Sequence, residues 1–380
     1  MTARLSWATF TQPRGRRRYK GRMVVSRARL LAALAAGALL AVALVLAETV
    51  RTEAVAAPPG QPTSARAIDA APGTALRVDR LARTAATWRG GPITTSTGEV
   101  VQVQVSDSLP TVTPEFWAEF LVQLTHGTEL ARVTSYHATL DEVRELCGAR
   151  ALGCYSRNTM ISLAEPALDG TTPEEVVRHE YGHHIALYRD NAPWRAIDWG
   201  PKAWATSATV CPKVARGEAH PGDEGRNYAL NPGEAWAESY RLLEERKDGI
   251  TTGAWPIIAP SFYPTEADLQ AAERDVLQPW TKGTVRTFSR TFGKRTPKVW
   301  RIPLSTPLDG SIRVTATVPR GGRYEVALVG PNRTTVLRRA SWVGQRAKRI
   351  DTTVCGQRSL FVRVTQAGSF GRVSVAAATP

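Results

Sequence analysis

The chain has 380 residues and a formal net charge of +15. The charge is unevenly placed: residues 57–285 hold 21 basic and 29 acidic side chains, whereas 286–380 hold 18 basic and 3 acidic. That contrast excludes a uniformly basic protein and sets a compositional boundary near residue 285.

At the N-terminus, nine basic residues between positions 4 and 29 precede an uncharged run of 18 residues, 30–47. A positive flank followed by an apolar segment is an export signal. The run lies between the length of a signal-peptide core and that of a membrane span, and Ala54-Val55-Ala56 offers an A-x-A cleavage site. Residues 1–56 are read as a signal peptide, or as a membrane anchor whose arginines stay inside, so the remainder is expected to be secreted or to face outward. All four cysteines follow this segment, in keeping with an oxidising destination. Cys147 and Cys154 bracket a short turn with Gly148 and Gly153, which favours that pair and leaves Cys211 for Cys355. No C-x-x-C spacing supports zinc binding by cysteines. Residues 57–74, rich in proline, alanine and small polar side chains, have the composition of a linker.

Further along, Val101, Val103 and Val105 alternate as in a strand, 114–124 has the pattern of a short helix, and 132–136 and 155–163 are expected to be strands. Thr172 suits an N-cap, Pro173 the first helical position, and Glu175 completes a capping box, so a helix begins ahead of His179. Its stripe of Val177, Tyr181, Ile185 and Tyr188, with Val176, Ala186 and Leu187 elsewhere, predicts burial on more than one side. This helix carries His179-Glu180-Tyr181-Gly182-His183. Residues four apart sit one above the other, so His179 and His183 can share one zinc ion while Glu180 reaches a water bound to it. Two buried histidines and a glutamate without a shared partner would carry an uncompensated polar cost. Gly182 costs about 1 kcal/mol in a helix interior, which implies a close neighbour there. His184 points away from this pair and is read as a hydrogen-bonded packing residue.

A catalytic zinc needs a third protein ligand and one open position. The metzincin pattern would put a histidine where Arg189 stands and a glycine where Ala186 stands, so it is excluded. Asp190 is in helical phase with His183 but two turns along the axis, about 10 Å away. The remaining source is the segment 231–240, a second helix opened by Asn231 and Pro232. It carries two carboxylates, Glu234 and Glu238; Glu234 also suits the third helical position as the capping partner of Asn231, and if it serves only there, Glu238 is left as the ligand.

With His179-Glu180-x-x-His183 and Glu234-x-x-x-Glu238 on a later helix, the chain resembles the gluzincin group of zinc metallopeptidases over residues 172–243. The resemblance implies that Glu234 binds Zn2+, that Ala237 leaves room beside it and that Glu238 holds a ligating histidine. It implies a peptide or protein substrate and a zinc-bound water whose proton Glu180 takes and later gives to the leaving amine. In such enzymes a tyrosine or histidine outside the metal shell often steadies the oxyanion; Tyr228 and His220 are in range. Zincin-like folds pair an edge strand with extended substrate, and 155–163 is the expected platform. The stretch 188–228, with Trp194, Trp199 and Trp204, is either a loop covering the cleft or an aromatic-packed subdomain.

Beyond Trp280 the pattern becomes alternation: Ile312, Val314, Ala316 and Val318; Tyr324, Val326 and Leu328; Leu360, Val362 and Val364; Val373 and Val375. Turn residues at 319–322, 330–332 and 367–369 separate these runs, as in an antiparallel β-sandwich. In pattern and position the segment is similar to the small bacterial pre-peptidase C-terminal domains that follow secreted proteases. Its positive field would attract anionic envelope polymers, lipid head groups or acidic proteins; nucleic acid is not expected outside a cell.

The expected class is therefore α+β: a zincin-like catalytic domain at 75–285 followed by a small antiparallel β-sandwich at 286–380. The expected function is a secreted or cell-surface zinc-dependent peptidase. The alternative is a non-catalytic envelope-binding protein with a zincin-like scaffold; Glu180 argues for the enzyme, because a structural zinc needs the imidazoles but not the base.

Overall fold

A computed structural model describes residues 86–167, 170–250, 257–343 and 347–380. The expected signal or anchor segment and the linker lie outside the described residues. The fold is α+β, with several antiparallel strand pairs.

The first sheet has five strands: β1 (Trp88–Thr94), β2 (Val100–Ser106), β3 (Thr134–Ala138), β4 (Gly153–Ser156) and β5 (Thr159–Leu163). Their order is β1-β2-β3-β5-β4; the three inner strands run parallel, and β1 and β4 close the two edges antiparallel. Val101, Val103 and Val105 point to the buried face, as their alternation predicts. Two expectations are corrected. The strand expected at 132–136 starts at Thr134, because Arg132 still belongs to a 3-10 turn, Thr128–Arg132. The single strand expected at 155–163 is a hairpin, in which Ser156 pairs with Thr159 across Arg157 and Asn158. Arg157 takes a left-handed φ of 57°, a conformation that no glycine advertised in the sequence.

Helices cover this sheet and its edge: α1 (Pro114–Gln123), α2 (Leu140–Cys147), α3 (Pro173–Leu187), the short α4 (Ala196–Trp199), α5 (Lys202–Ser207) and α6 (Val210–Ala215), then α7 (Pro232–Lys247) and α8 (Glu266–Leu277). The stretch after α3 packs its aromatics: Trp194 stacks on Trp199 at 4.5 Å, and Trp204 meets the edge of Trp236 at 5.8 Å. Trp236 is fully buried and its Nε1 donates to Gly182 O at 2.7 Å, which locks α7 onto α3. Truncating so large a buried ring typically costs about 3–5 kcal/mol. The two helices meet closely at Gly182, where an added Cβ would lie 2.9 Å from Ala237 Cα.

Two further sheets follow, built from β8 (Thr284–Phe292), β9 (Val299–Ser305), β10 (Gly310–Thr317), β11 (Arg323–Val329), β12 (Val336–Val343), β13 (Lys348–Val354), β14 (Ser359–Gln366) and β15 (Gly371–Thr379). One sheet has the order β13-β10-β15-β8 and the other β12-β11-β14-β9, with all pairs antiparallel. Their inward residues, among them Ile312, Val314, Val326, Leu328, Val362 and Val375, form one hydrophobic cluster separate from the cluster under α3. Covalent and polar links join the two parts. Cys211 is bonded to Cys355, as Cys147 is to Cys154. The buried Lys202 Nζ donates to Ala192 O at 2.6 Å and Asp309 O at 3.0 Å. Among the described residues, no helix is long and apolar enough to cross a membrane.

Candidate metal centre

The centre is assembled by two helix starts, each set by local chemistry. At α3, Thr172 accepts from Glu175 N while Glu175 accepts from Thr172 N, the reciprocal capping pair that fixes where the helix begins. The helical phase then puts His179, Glu180 and His183 in the interior, all three buried. At α7, Asn231 Oδ1 accepts from Gly233 N and from Gly222 N, both at 3.0 Å, and its Nδ2 donates to Glu224 at 2.8 Å. The cap thereby ties the preceding loop to the helix, and the Glu234 carboxylate is turned toward the histidines.

The polar atoms of His179, His183 and Glu234 converge. The two Nε2 atoms are 3.2 Å apart, and Glu234 Oε2 lies 3.2 Å from the first and 3.5 Å from the second. Two ligands held tetrahedrally at ordinary zinc bond lengths stand about 3.3–3.5 Å apart. The triangle has those dimensions, and among the described residues these three form a group of side chains that could hold a metal ion. Two imidazoles and one carboxylate are also a donor set suited to zinc, so the residues could hold that ion. Burial pushes the Glu234 carboxyl up, but His183 and His179 beside it outweigh that and hold it well below the usual carboxylate range.

Glu180 faces the edge of the first sheet. A Cβ on Gly153 would lie 2.5 Å from Glu180 Oε1 and 2.7 Å from Val176 Cγ1, so the glycine in β4 makes the space that the carboxylate occupies. Tyr228 sits in a 3-10 turn just before α7 and its hydroxyl donates to Glu234 Oε2 at 2.6 Å. His220 is only half-buried, and its backbone N–H bonds Leu230 O. Among the described contacts none joins its ring to the three convergent residues. His184 is spoken for elsewhere, with Nε2 2.8 Å from Glu129 O and Nδ1 3.0 Å from the Tyr155 hydroxyl. Asp190 is exposed on β6 (Asp190–Asn191), which pairs antiparallel with β7 (Trp194–Arg195).

Behind the triangle lies a set of buried charges, most of which the sequence did not single out. Glu238 Oε2 is 3.6 Å from His179 Nδ1 and accepts from Arg241 Nε at 2.9 Å. Arg241, itself buried, also pairs with Glu245 and lies 3.6 Å from Glu175. Burial opposes charge on both Glu238 and Arg241. Their mutual attraction outweighs it, so the Glu238 pKa falls and that of Arg241 rises. The available signal was the spacing: Glu234, Glu238 and Arg241 recur at four and three residues, one face of one helix. Tyr155, expected only as the first residue of the substrate platform, lies on β4 with its ring nearly parallel to that of His183 at 6.4 Å.

No family model matches the chain, and no curated protein matches it. Among solved structures, a Yersinia pseudotuberculosis-derived mitogen is 8% identical and aligns 26% of this chain with 87% of its own, at a TM-score of 0.21. A periplasmic inhibitor of g-type lysozyme from Aeromonas hydrophila is 11% identical and aligns 26% of this chain with 85% of its own, at 0.19. The capsular polysaccharide assembling protein CapF from Staphylococcus aureus, also 11% identical, aligns 72% of this chain with 80% of its own, at 0.17. At such scores these likenesses carry no argument about fold or function, and the functional reading rests on the geometry of the centre.

Proposed function

We propose that the chain is a zinc-dependent peptidase, with a zincin-like catalytic part and an accessory β-sandwich, that acts outside the cell or at its surface. The observation that carries this reading is the triangle of His179 Nε2, His183 Nε2 and Glu234 Oε2, with a buried glutamate one residue along from the first histidine. Those three side chains would hold the zinc, and Tyr228 would steady the Glu234 oxygen that it already contacts. When bound, the ion would supply Lewis acidity, making a water acidic near neutral pH and polarising the carbonyl under attack.

The chain's own groups then have distinct tasks. Glu180 accepts the proton of the attacking water at its carboxylate and delivers it to the amine nitrogen of the leaving segment. Glu238, with Oε2 3.6 Å from His179 Nδ1, would favour a proton on that nitrogen by its negative charge and so leave Nε2 for the centre. To serve the developing oxyanion, the Tyr228 hydroxyl would have to move its single O–H from Glu234 Oε2 to the substrate oxygen. The outer edge of β4, the last strand of its sheet, offers backbone groups to an extended peptide. Arg241 pairs with Glu238 and Glu245, whereas buried Glu234 lies against the two histidines, a carboxylate that a bound cation would neutralise. Two disulfides agree with an oxidising compartment.

The test is hydrolysis of an unstructured polypeptide by the purified chain. Activity should vanish with a chelator, return with zinc, and be lost in Glu180→Gln with the zinc content retained. Hydrolysis that survives both chelation and the substitution overturns the reading. A zinc-loaded protein that cleaves no peptide would favour the non-catalytic envelope-binding alternative.

A further inference from the structure

We infer that the junction between the outer face of the β13-β10-β15-β8 sheet and the helical part is a binding groove for an anionic polysaccharide. This site is independent of the metal centre. The groove has a volume of about 770 Å³, within the range of small-ligand clefts, and Trp280, Ser311, Arg313, Arg349, Asp351 and Thr353 line it.

The charged groups are arranged in an unusual way for surface ion pairs. Asp351 takes only the Nε of each arginine, Arg313 at one oxygen and Arg349 at the other. Among the described residues, the Nη atoms of both guanidiniums have no partner. One carboxylate therefore orients two guanidiniums on neighbouring strands, and both remain about half-exposed. Two such forks side by side suit a carboxylate or phosphate oxygen pair. Trp280 is half-buried, and its ring is held by the Lys202 ammonium 4.6 Å from the ring centre. An aromatic wall with hydroxyls and an anion site is the chemistry that packs against a sugar ring and binds its acidic substituent.

Farther along the same sheet, small hydroxyl residues stand side by side, since Thr317 pairs with Ser374 and Ser374 with Ser289 across three strands. A polymer longer than the groove can run along that face. A concave lining that mixes an aromatic ring with hydroxyls and charges favours a glycan over a bilayer, which would need protruding apolar side chains. Polysaccharides of uronic acids and of phosphorylated hexoses share the required chemistry.

The full chain should be titrated calorimetrically with polygalacturonate, a phosphomannan, neutral dextran and phosphatidylglycerol vesicles. Saturable binding is expected for at least one of the two anionic polymers, and which one binds distinguishes carboxylate from phosphate as the recognised group; dextran should not bind. Arg313→Gln with Arg349→Gln should weaken binding about tenfold or more. Lys294→Gln with Arg295→Gln, the same loss of charge past the far end of β8, should leave it unchanged. Thr353→Trp, which fills the groove without altering charge, should weaken it as well and decides the matter if the arginine variant does not fold. Equal loss in both charge variants, equal binding of dextran, no binding of either anionic polymer, or vesicle binding that depends on Arg313 and Arg349 would overturn the inference.

Discussion

Glu238 places its Oε2 3.6 Å from His179 Nδ1, on the side of the imidazole opposite the nitrogen that faces Glu234. The carboxylate is oriented by Arg241, and the arginine by Glu245 and Glu175, so a row of buried charges ends on one ring nitrogen. Partners of this kind typically set metal affinity by about 10–100-fold. Glu238→Gln should lower zinc affinity by that order in a chelator-competition titration, whereas Glu180→Gln should leave it nearly unchanged. Equal affinities in the wild type and Glu238→Gln would remove Glu238 from the positioning role.

Gly182→Ala sets helix propensity against packing. Alanine gains about 1 kcal/mol in a helix interior. Its Cβ would stand 2.9 Å from Ala237 Cα and 3.2 Å from Ala237 O, backbone atoms that cannot turn aside. Overpacking of this kind costs about 1–3 kcal/mol, and separating α3 from α7 would also pull Glu234 from the histidines. We expect a lower denaturation midpoint together with weaker zinc binding. A variant more stable than the wild type would mean that the helices yield without cost.

Gly153→Ala tests the seat of the proposed base. The added methyl would meet Glu180 Oε1 at 2.5 Å, Val176 Cγ1 at 2.7 Å and the backbone oxygen of Ile161 at 3.0 Å. The expected result is a fall in kcat of about tenfold or more with the zinc content unchanged, since a misplaced base loses much of general acid–base catalysis. Loss of bound zinc in parallel would show instead that the hairpin supports the whole centre.

His137 gives the fold a pH dependence of its own. It is fully buried, stacked on Trp117 at 4.3 Å with Nε2 2.7 Å from Ser135 Oγ, and burial pushes its pKa down to about 3. An unfolded histidine takes up its proton near pH 6.5, so between about 3 and 6.5 the unfolded chain binds the extra proton. Stability from this residue therefore falls as pH drops below 6.5, by about 2 kcal/mol between pH 7 and pH 5. Denaturant titrations at the two pH values should show this loss in the wild type and a smaller one in His137→Asn. The same loss in both would assign it to other groups.

What the sequence determined by itself was local. Thr172, Pro173 and Glu175 set the start of α3, because a cap satisfies backbone donors within one turn and needs nothing distant. Helical phase alone put His179 and His183 on one face, and alternation at Ile312, Val314 and Ala316 marked an inward strand face. Tertiary structure decided whatever depends on atoms far apart in the chain. Fifty-five residues separate His179 from Glu234, so whether that carboxylate caps its own helix or meets the imidazoles follows from how closely α3 and α7 pack at Gly182 and Ala237. The hairpin at Arg157 and Asn158, the space that Gly153 leaves for Glu180 and the burial of Arg241 were equally hidden. A helix period specifies which residues share a face, whereas only the packed fold specifies what that face meets.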